Sequence, residues 1–478
     1  MGTAMDATRT GNMGEIDTRF RTALRRMAAA GRLRDLTNPI DPRLELAALM
    51  KQLDGGPALY FSEVRGHDVP VVGNLLSTQE NCEAAFGVDF RALRDLVGRA
   101  IAGPLPPHLV DHPAVQTHIH RTGFDIRAML PALTHTAADA GRYITAGIVL
   151  ARDPDTHIYN ASYHRLMLAG PDRCAIKLDS GRHLRLAWER ARARGEDLPV
   201  VICIGADLAL HYTAATMGSQ MPESADELAV AGGLAGRPIN VARAITQDLL
   251  VPADAEFILE GTISATETID EGPFGEFVGF LSSEGPAPIF SITAITHRDQ
   301  PIYHAINGYG RETIMLRKYV LEASLLRVLQ AAVPMVTDAE MTAGGLHRFH
   351  AVVQVRKTGP MSDGLQRNAI LAAFGALKDL DMVIMVDDDI DIRDPLDVEY
   401  ALAVRFEASK DLLVIPGARG HEYVRASDNG IRAKLGIDAT VPFDERARYS
   451  RCRFEKIDAA AHPFSNDITA MLDRIGPL

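Results

Sequence analysis

The chain has 478 residues, enough for about three domains with filled cores, which excludes a single small module. Its formal net charge is -12 and its basic residues are scattered, which argues against a nucleic-acid surface and for a small-molecule substrate. Cys82, Cys174, Cys203 and Cys452 lie far apart with no C-x-x-C pair, so no disulfide framework or thiolate zinc site is expected and a reducing cytoplasm is.

The first thirty residues contain no apolar signal core, Asp6 stands where a myristoylation signal needs Ser or Thr, and no apolar run approaches the roughly 18 to 20 residues that cross a bilayer. No membrane association is expected. From Ile16 to Leu36 apolar residues recur at helical spacing among arginines, which predicts a helix that Pro39 and Pro42 close off. A second helix is predicted over Leu44 to Leu53. The runs "ALYFSEV" and "VPVVGNLL" between Ala58 and Leu76 read as strands, "FRALRDLVGRAI" returns to helix, and Pro104, Pro106 and Pro107 form a linker. From about Val115 to Leu281 the strand-like runs "YITAGIVLARD", "VVICIG" and "EFILEGTI" interleave with helical segments such as "HLRLAWERARARG". This is a mixed α/β core without clean βαβ alternation, so a simple doubly wound sheet is disfavoured. After Pro301 come a helix over Leu316 to Ala332, the strand "FHAVVQVRK", a helix near Asn368 to Lys378 and the strand "MVIMV", which together make a further unit. No internal repeat is visible.

The stretch "TIDEGPFGEFVGF" at 268 to 280 places Glu271 and Glu276 around a Gly-Pro-Phe-Gly bend beside apolar neighbours. Carboxylates are rarely buried without partners, so these two either decorate a solvated loop or belong to a site that uses them. In "YNASYHR", "SGRH" and "ADELAVAGG", Asn160 offers an amide oxygen, His183 an imidazole nitrogen and Glu227 a carboxylate, a set suited to Mn²⁺ or Mg²⁺. Taken singly, each also reads as an ordinary turn or helix-surface residue. Arg165, five positions after Asn160, can clamp one glutamate and still present donors to a substrate carboxylate. With Arg165 on one glutamate, the other, desolvated beside a like charge, is raised and becomes a proton donor. Two other motifs compete. His118 and His120 of "THIH" alternate onto one face of a strand, as in metal-dependent hydrolases, and "VDDDID" at 386 to 391 reads either as a cation site or, preferably, as a solvated acidic loop.

In order along the chain, "LPALTHTAADAGRYITAGIVLARDPDT", "NASYHR", "SGRH", "PESADELAVAGG", "LEGTISATETIDEGPFGEFVGF" and "VDDDIDIRDPLDVEYALAVRF" resemble the UbiD family of reversible decarboxylases, which use prenylated FMN. The resemblance covers about residues 110 to 420. It implies an α/β fold: an N-terminal α/β region over 1–108, a split-barrel-like cofactor domain over 109–305, a helical linker over 306–335 and a C-terminal oligomerisation domain over 336–478. It further implies non-oxidative decarboxylation of an aromatic, heteroaromatic or α,β-unsaturated carboxylic acid through a covalent adduct with the cofactor, releasing CO2. Arg165, Glu271 and Glu276 match the family's catalytic set. Asn160, His183 and Glu227 match the ligands of a divalent metal that bridges to the flavin phosphate, and Ser162, Arg165, Arg182 and Lys378 are the further cofactor contacts it implies. Arg405 is a looser match at the phosphate end. A potassium ion is implied near Ala215 to Met217, in a loop longer than the family's usual run. A flavin prenyltransferase as cofactor supplier and a homodimer or homohexamer complete the implied partners. The substrate pocket is expected to include "INGYGRETIML" at 306 to 316, with Tyr309. The alternatives are a hydrolase built on "THIH" and a flavin-binding assembly protein without turnover.

Overall fold

The computed structural model describes residues 15–179, 181–216, 221–452, 454, 455, 457, 458, 461, 462 and 468–475. The opening helix is shorter than its sequence periodicity. It spans Phe20–Ala29 and buries Phe20, Ala23, Leu24 and Met27, one stripe at helical spacing. Gly31 then turns the chain at φ +67°, and Leu33–Leu36, predicted to be helical, pairs as a strand parallel to Ala58–Phe61. Strand pairing here overrides local propensity. Val71–Gly73 continues that sheet, and its fourth strand, Tyr303–His304, arrives from more than two hundred residues downstream.

The sheet that positions the site is central, with nine strands joined by antiparallel pairings. Its order runs Tyr143–Ile144, Leu166–Leu168, Arg173–Ile176, Gly285–His297, Phe257–Glu271, Leu198–Ile204, Ile148–Arg152, Tyr159–Tyr163, with His118–His120 added beside Gly285–His297. The two longest strands slip register between Glu260 and Gly261 and again between Ile263 and Thr268, and such bulges bend a sheet. Both faces are covered. Ile148, Leu150, Val201 and Cys203 point into one core, while Val149, Ala151, Val200 and Ile202 point into another. Burial on both sides is why "VVICIG" reads as a continuous apolar run instead of an alternating one.

Helix Arg311–Ala332 leaves this unit with Met315, Leu316 and Tyr319 in the first core and enters the next with Leu321, Leu325 and Leu329 in a third. One helix thus anchors two cores. The C-terminal sheet runs Val336–Met341, His350–Val355, Met382–Asp387, Ile431–Ala439, Leu412–Arg419, parallel across its three middle strands and antiparallel at both edges. Among the described residues no helix is long and apolar enough to cross a membrane.

Candidate active site

A cavity of about 470 Å³ lies where the central sheet, the linking helix and the C-terminal domain meet. That is within the usual range for a ligand pocket. Its first wall is the strand Tyr159–Tyr163, whose alternation puts Asn160 and Ser162 on one face. His183 and Glu227 are the opening residues of helices His183–Ala193 and Glu227–Ala235, so two helix N-termini, with their unpaired N–H groups, border the same space. Asp226 caps the second helix by accepting from the backbone N–H of Ala229 at 3.1 Å.

Glu227 is 3% exposed. It accepts from Asn160 Nδ2 at 3.0 Å and, more closely, from the Ala161 backbone N–H, and His183 Nδ1 lies 3.8 Å away. Burial raises its pKa, and only His183 and these neutral donors work in the other direction. His183 is raised in turn by Glu227. The amide donation to Glu227 fixes the orientation of Asn160. Burial keeps His164 neutral, and its Nδ1 lies 2.7 Å from the Lys177 carbonyl, which can only accept. Nε2 of His164 is therefore an acceptor for the Ser162 hydroxyl at 3.0 Å. Asn160 Oδ1, 3.1 Å from that same hydroxyl, keeps lone pairs for another partner. An amide oxygen, an imidazole and a buried carboxylate with no guanidinium or ammonium against it form a donor set that fits a divalent cation. Among the described residues no group of three or more His, Cys, Asp or Glu side chains is arranged for a metal, and this set is a mixed one, with an amide oxygen as its third donor.

The second wall is the glutamate bend. Glu271 ends strand Phe257–Glu271, and Gly272 turns at φ +91°, where an added Cβ would stand 2.8 Å from the Ser283 carbonyl oxygen. Only glycine fits there. Phe274 anchors the bend in a small core with Tyr143, Met167, Ala175 and Ala287. Arg165 reaches across from the start of strand Leu166–Leu168, its guanidinium 5.2 Å from the Phe274 ring centre. Nε and Nη2 donate to the two oxygens of Glu271 at 2.8 and 2.9 Å, Nη2 also donates to Ser282 Oγ at 3.1 Å, and Nη1 meets Glu276 Oε1 at close range. Glu271 is wholly buried, whereas the Glu276 side chain keeps 16% of its surface. Burial works against the charge on Arg165, but the two glutamates outweigh it and hold the guanidinium ionised. Burial raises the pKa of Glu276, Asp179 and Glu271 push the same way, and Arg165 opposes them. The bend therefore holds one clamped carboxylate and one disposed to carry a proton.

Of the residues singled out from sequence, Asn160, Ser162, Arg165, Arg182, His183, Glu227, Glu276 and Lys378 line this one cavity, with Glu271 behind Arg165. Ala215 and Thr216 reach it, while Met217 lies outside the described residues. Two expectations are corrected. Tyr309 is not in the wall: it is half exposed, with Lys51 Nζ 4.0 Å above its ring. Arg405 is not at the phosphate end either, because it pairs with Asp389 at 2.6 Å and lines a separate cavity. The acidic run itself is a strand that ends in an exposed acidic turn, as expected: Asp387, buried, closes strand Met382–Asp387 and accepts from the Val441 N–H, while Asp388, Asp389 and Asp391 beyond it are exposed, Asp388 beside Arg356 at 2.8 Å. "THIH" does acquire a third histidine, His297 across the sheet, but the rings stack at centre distances of 4.8 and 5.3 Å instead of converging.

Sequence reading missed the roof. Arg317 of the linking helix and Arg348, His421 and Tyr423 of the C-terminal domain all face the cavity. The Tyr423 hydroxyl donates to Asp179 at 3.1 Å, and burial with the nearby Arg348 pushes His421 down to about 3, so its ring is neutral. The only available signal was the aromatic character of "HEY" at 421 to 423, which has no counterpart nearby in sequence.

Family models describe three consecutive parts of the chain: the 3-octaprenyl-4-hydroxybenzoate carboxy-lyase (UbiD) N-terminal domain over residues 24–100, its Rift-related domain over 108–310 and its C-terminal domain over 314–439. The chain is 34% identical to the anhydromevalonate phosphate decarboxylase of Methanosarcina mazei over 90% of this chain and 98% of that one. It is 31% identical to the gallate decarboxylase of Lactiplantibacillus plantarum over 87% of this chain and 93% of that one. Among solved structures it matches the UbiD-class enzyme HmfF of Pelotomaculum thermopropionicum in complex with FMN, with a TM-score of 0.89, 37% identity and coverage of 93% and 100% of the two chains. An evolved dimeric form of that enzyme, in complex with prFMN, matches with a TM-score of 0.86 at 35% identity, over 93% of this chain and 100% of that one.

Proposed function

The chain belongs to the UbiD family of decarboxylases, and we propose that it removes CO2 from an aromatic, heteroaromatic or α,β-unsaturated carboxylic acid with prenylated FMN bound in the cavity described above. One observation carries this reading: Arg165 sits between a buried glutamate and a largely buried one on the wall of a cavity that also holds the Asn160, His183 and Glu227 donor set.

Asn160, His183 and Glu227 would hold Mn²⁺ or Mg²⁺, with the two helix N-termini adding positive potential at the same end, and Lys378, which pairs with Asp379, is a further cofactor contact in this proposal. A potassium ion beside it, near Ala215, belongs to the same proposal. When bound, the prenylated flavin supplies an electron sink for the pair released with CO2. The protein supplies the rest. Glu271 fixes the guanidinium plane of Arg165 through two parallel hydrogen bonds. When Glu276 is protonated it no longer requires Nη1 of Arg165, and that N–H turns to the substrate carboxylate. Loss of CO2 leaves a carbon that needs one proton, and Glu276 is the acid placed to deliver it. Carboxylate and proton enter, product and CO2 leave, and the bond to CO2 is replaced by the bond to that proton.

The compartment we propose is the cytoplasm, because all four cysteines are free thiols. Exposed Leu396, Val404, Leu412 and Val414 on the C-terminal domain support its role as the oligomerisation unit of a homodimer or homohexamer. The test is to coexpress the chain with a flavin prenyltransferase, record the absorbance and mass of the bound cofactor, and screen unsaturated and aromatic acids for CO2 release. A prenylated flavin with turnover of at least one acid is expected. A colourless protein, or bound flavin with no CO2 from any acid, would sink the assignment.

A further inference from the structure

The cavity carries more positive charge than its acids neutralise: seven Lys and Arg side chains line it against four carboxylates. Several of these cations are already engaged. Arg165 is clamped by its two glutamates, Arg348 Nε and Nη2 donate to Asp379 at 2.9 and 2.6 Å, and Lys378 sits 2.6 Å from the other oxygen of Asp379. Arg317 differs. Among the described residues it makes no hydrogen bond and no ion pair, although it faces the cavity and is partly buried. Burial, then the guanidiniums of Arg348 and Arg182, push it down to about 9, and Asp179 and Asp379 offset only part of this. Arg182 likewise has no hydrogen-bonded or ion-paired carboxylate among the described residues. A partly buried guanidinium without a partner, near two others, is unfavourable until an anion joins it.

Their position says which anion. The strongest charged neighbours of Arg317 are Arg348, Arg182, Asp179 and Asp379. Asp179 acts electrostatically on Glu276, and Arg348 covers the ring of Phe277, the residue after Glu276, at 5.1 Å. Arg317 is thereby tied through Asp179 and Arg348 to the proton-donor side of the cavity, while Arg182, the N-cap residue directly before His183, stands at the end of the metal donor set. Resting on the decarboxylase reading above, we propose that Arg317 binds a second anionic group of the substrate, a carboxylate or a phosphate ester, distinct from the carboxylate that is lost. The planar, five-donor guanidinium suits either group.

The test uses flavin-loaded wild type, Arg317→Met, which keeps length and helix propensity, and Arg317→Lys, which keeps charge without the fork. Probes are matched acids: crotonate with glutaconate, and benzoate with terephthalate and 4-phosphonooxybenzoate. Binding is read from perturbation of the flavin absorbance, which needs no turnover, and CO2 release is read in parallel. Wild type should bind at least one dianion about 10–100-fold more tightly than its monoanion, as charged hydrogen bonds provide. Whether carboxylate or phosphate wins identifies the group. Arg317→Met should erase the preference, leave monoanion binding unchanged and retain the flavin, and Arg317→Lys should keep part of the preference. If Arg317→Met fails to fold by near-ultraviolet circular dichroism, a preference undiminished in Arg317→Lys overturns the proposal. A wild type without dianion preference overturns it, and so does flavin loss in Arg317→Met, which would assign the residue to the cofactor phosphate. Dianion binding that depends on Arg317 without CO2 from any acid instead overturns the decarboxylase reading and leaves the anion site standing.

Discussion

Glu271 and Glu227 are both withdrawn from water, 0% and 3% exposed, yet they are stabilised by opposite means. Glu271 lies under a guanidinium that reaches both of its oxygens, and that guanidinium is itself held ionised. Glu227 has an amide, a backbone N–H and an imidazole, and no permanent cation. An uncompensated buried carboxylate costs several kcal/mol, so the Glu271–Arg165 pair is electrostatically complete from the protein alone and the surroundings of Glu227 are completed by something that binds. In the function proposed above, the Arg165 wall serves the chemistry and the Glu227 wall the loading of the cofactor.

The largest effect should come from removing the proton at the Arg165 end. Glu276→Gln keeps the bend, the volume and a hydrogen-bond partner for Arg165, so the flavin should remain bound, while decarboxylation falls about 10²–10⁴-fold, the usual contribution of a positioned acid. Solvent deuterium exchange into the product should disappear with it. Activity near wild type would remove Glu276 from the chemistry and dissolve the distinction between the two ends.

Next in size is the difference in stability. Arg165→Met leaves Glu271 buried and unpaired, and should cost about 3–5 kcal/mol by chemical denaturation of the cofactor-free protein. Glu227→Gln, by contrast, removes a carboxylate that lacked a cation, and should change the stability of the same cofactor-free protein by about 1 kcal/mol or less. Its cost should appear only on loading, as lost metal content and lost flavin absorbance. If both substitutions destabilise the cofactor-free protein equally, the two ends are alike and Glu227 is a structural acid.

How far sequence alone reaches differs between the same regions. Glu271 and Glu276 stood out because a Gly-Pro-Phe-Gly bend frames them among apolar neighbours, but their joining with Arg165, and the set Asn160, His183 and Glu227, each ordinary when taken singly, became legible through the ordered motifs that resemble the UbiD family. Arg317, Arg348, His421 and Tyr423 were not. They approach from a helix and a domain more than a hundred residues from Arg165, and on helix Arg311–Ala332 a lone arginine looks like any surface charge until the C-terminal sheet closes over it. The strand Leu33–Leu36 failed for a related reason: its partner strands, not its own pattern, decide its state.

The finest distinction concerns how Glu276 keeps its proton. Burial is the main cause of its raised pKa, Asp179 contributes in the same direction and Arg165 opposes both. A carboxyl raised in the folded state holds its proton below that raised value and loses it as pH climbs through it, so the pH profile of kcat should fall on its alkaline side, and any stability this group confers is lost over the same window. Asp179→Asn removes the like charge but keeps an oxygen to accept the Tyr423 hydroxyl, so the geometry of the roof survives. The alkaline limb should then move to lower pH with kcat on the acid plateau little changed. A limb that stays in place would mean that the titrating group is not Glu276, and a limb that moves up would mean that Asp179 acts through Arg317 and the roof instead of on the donor itself.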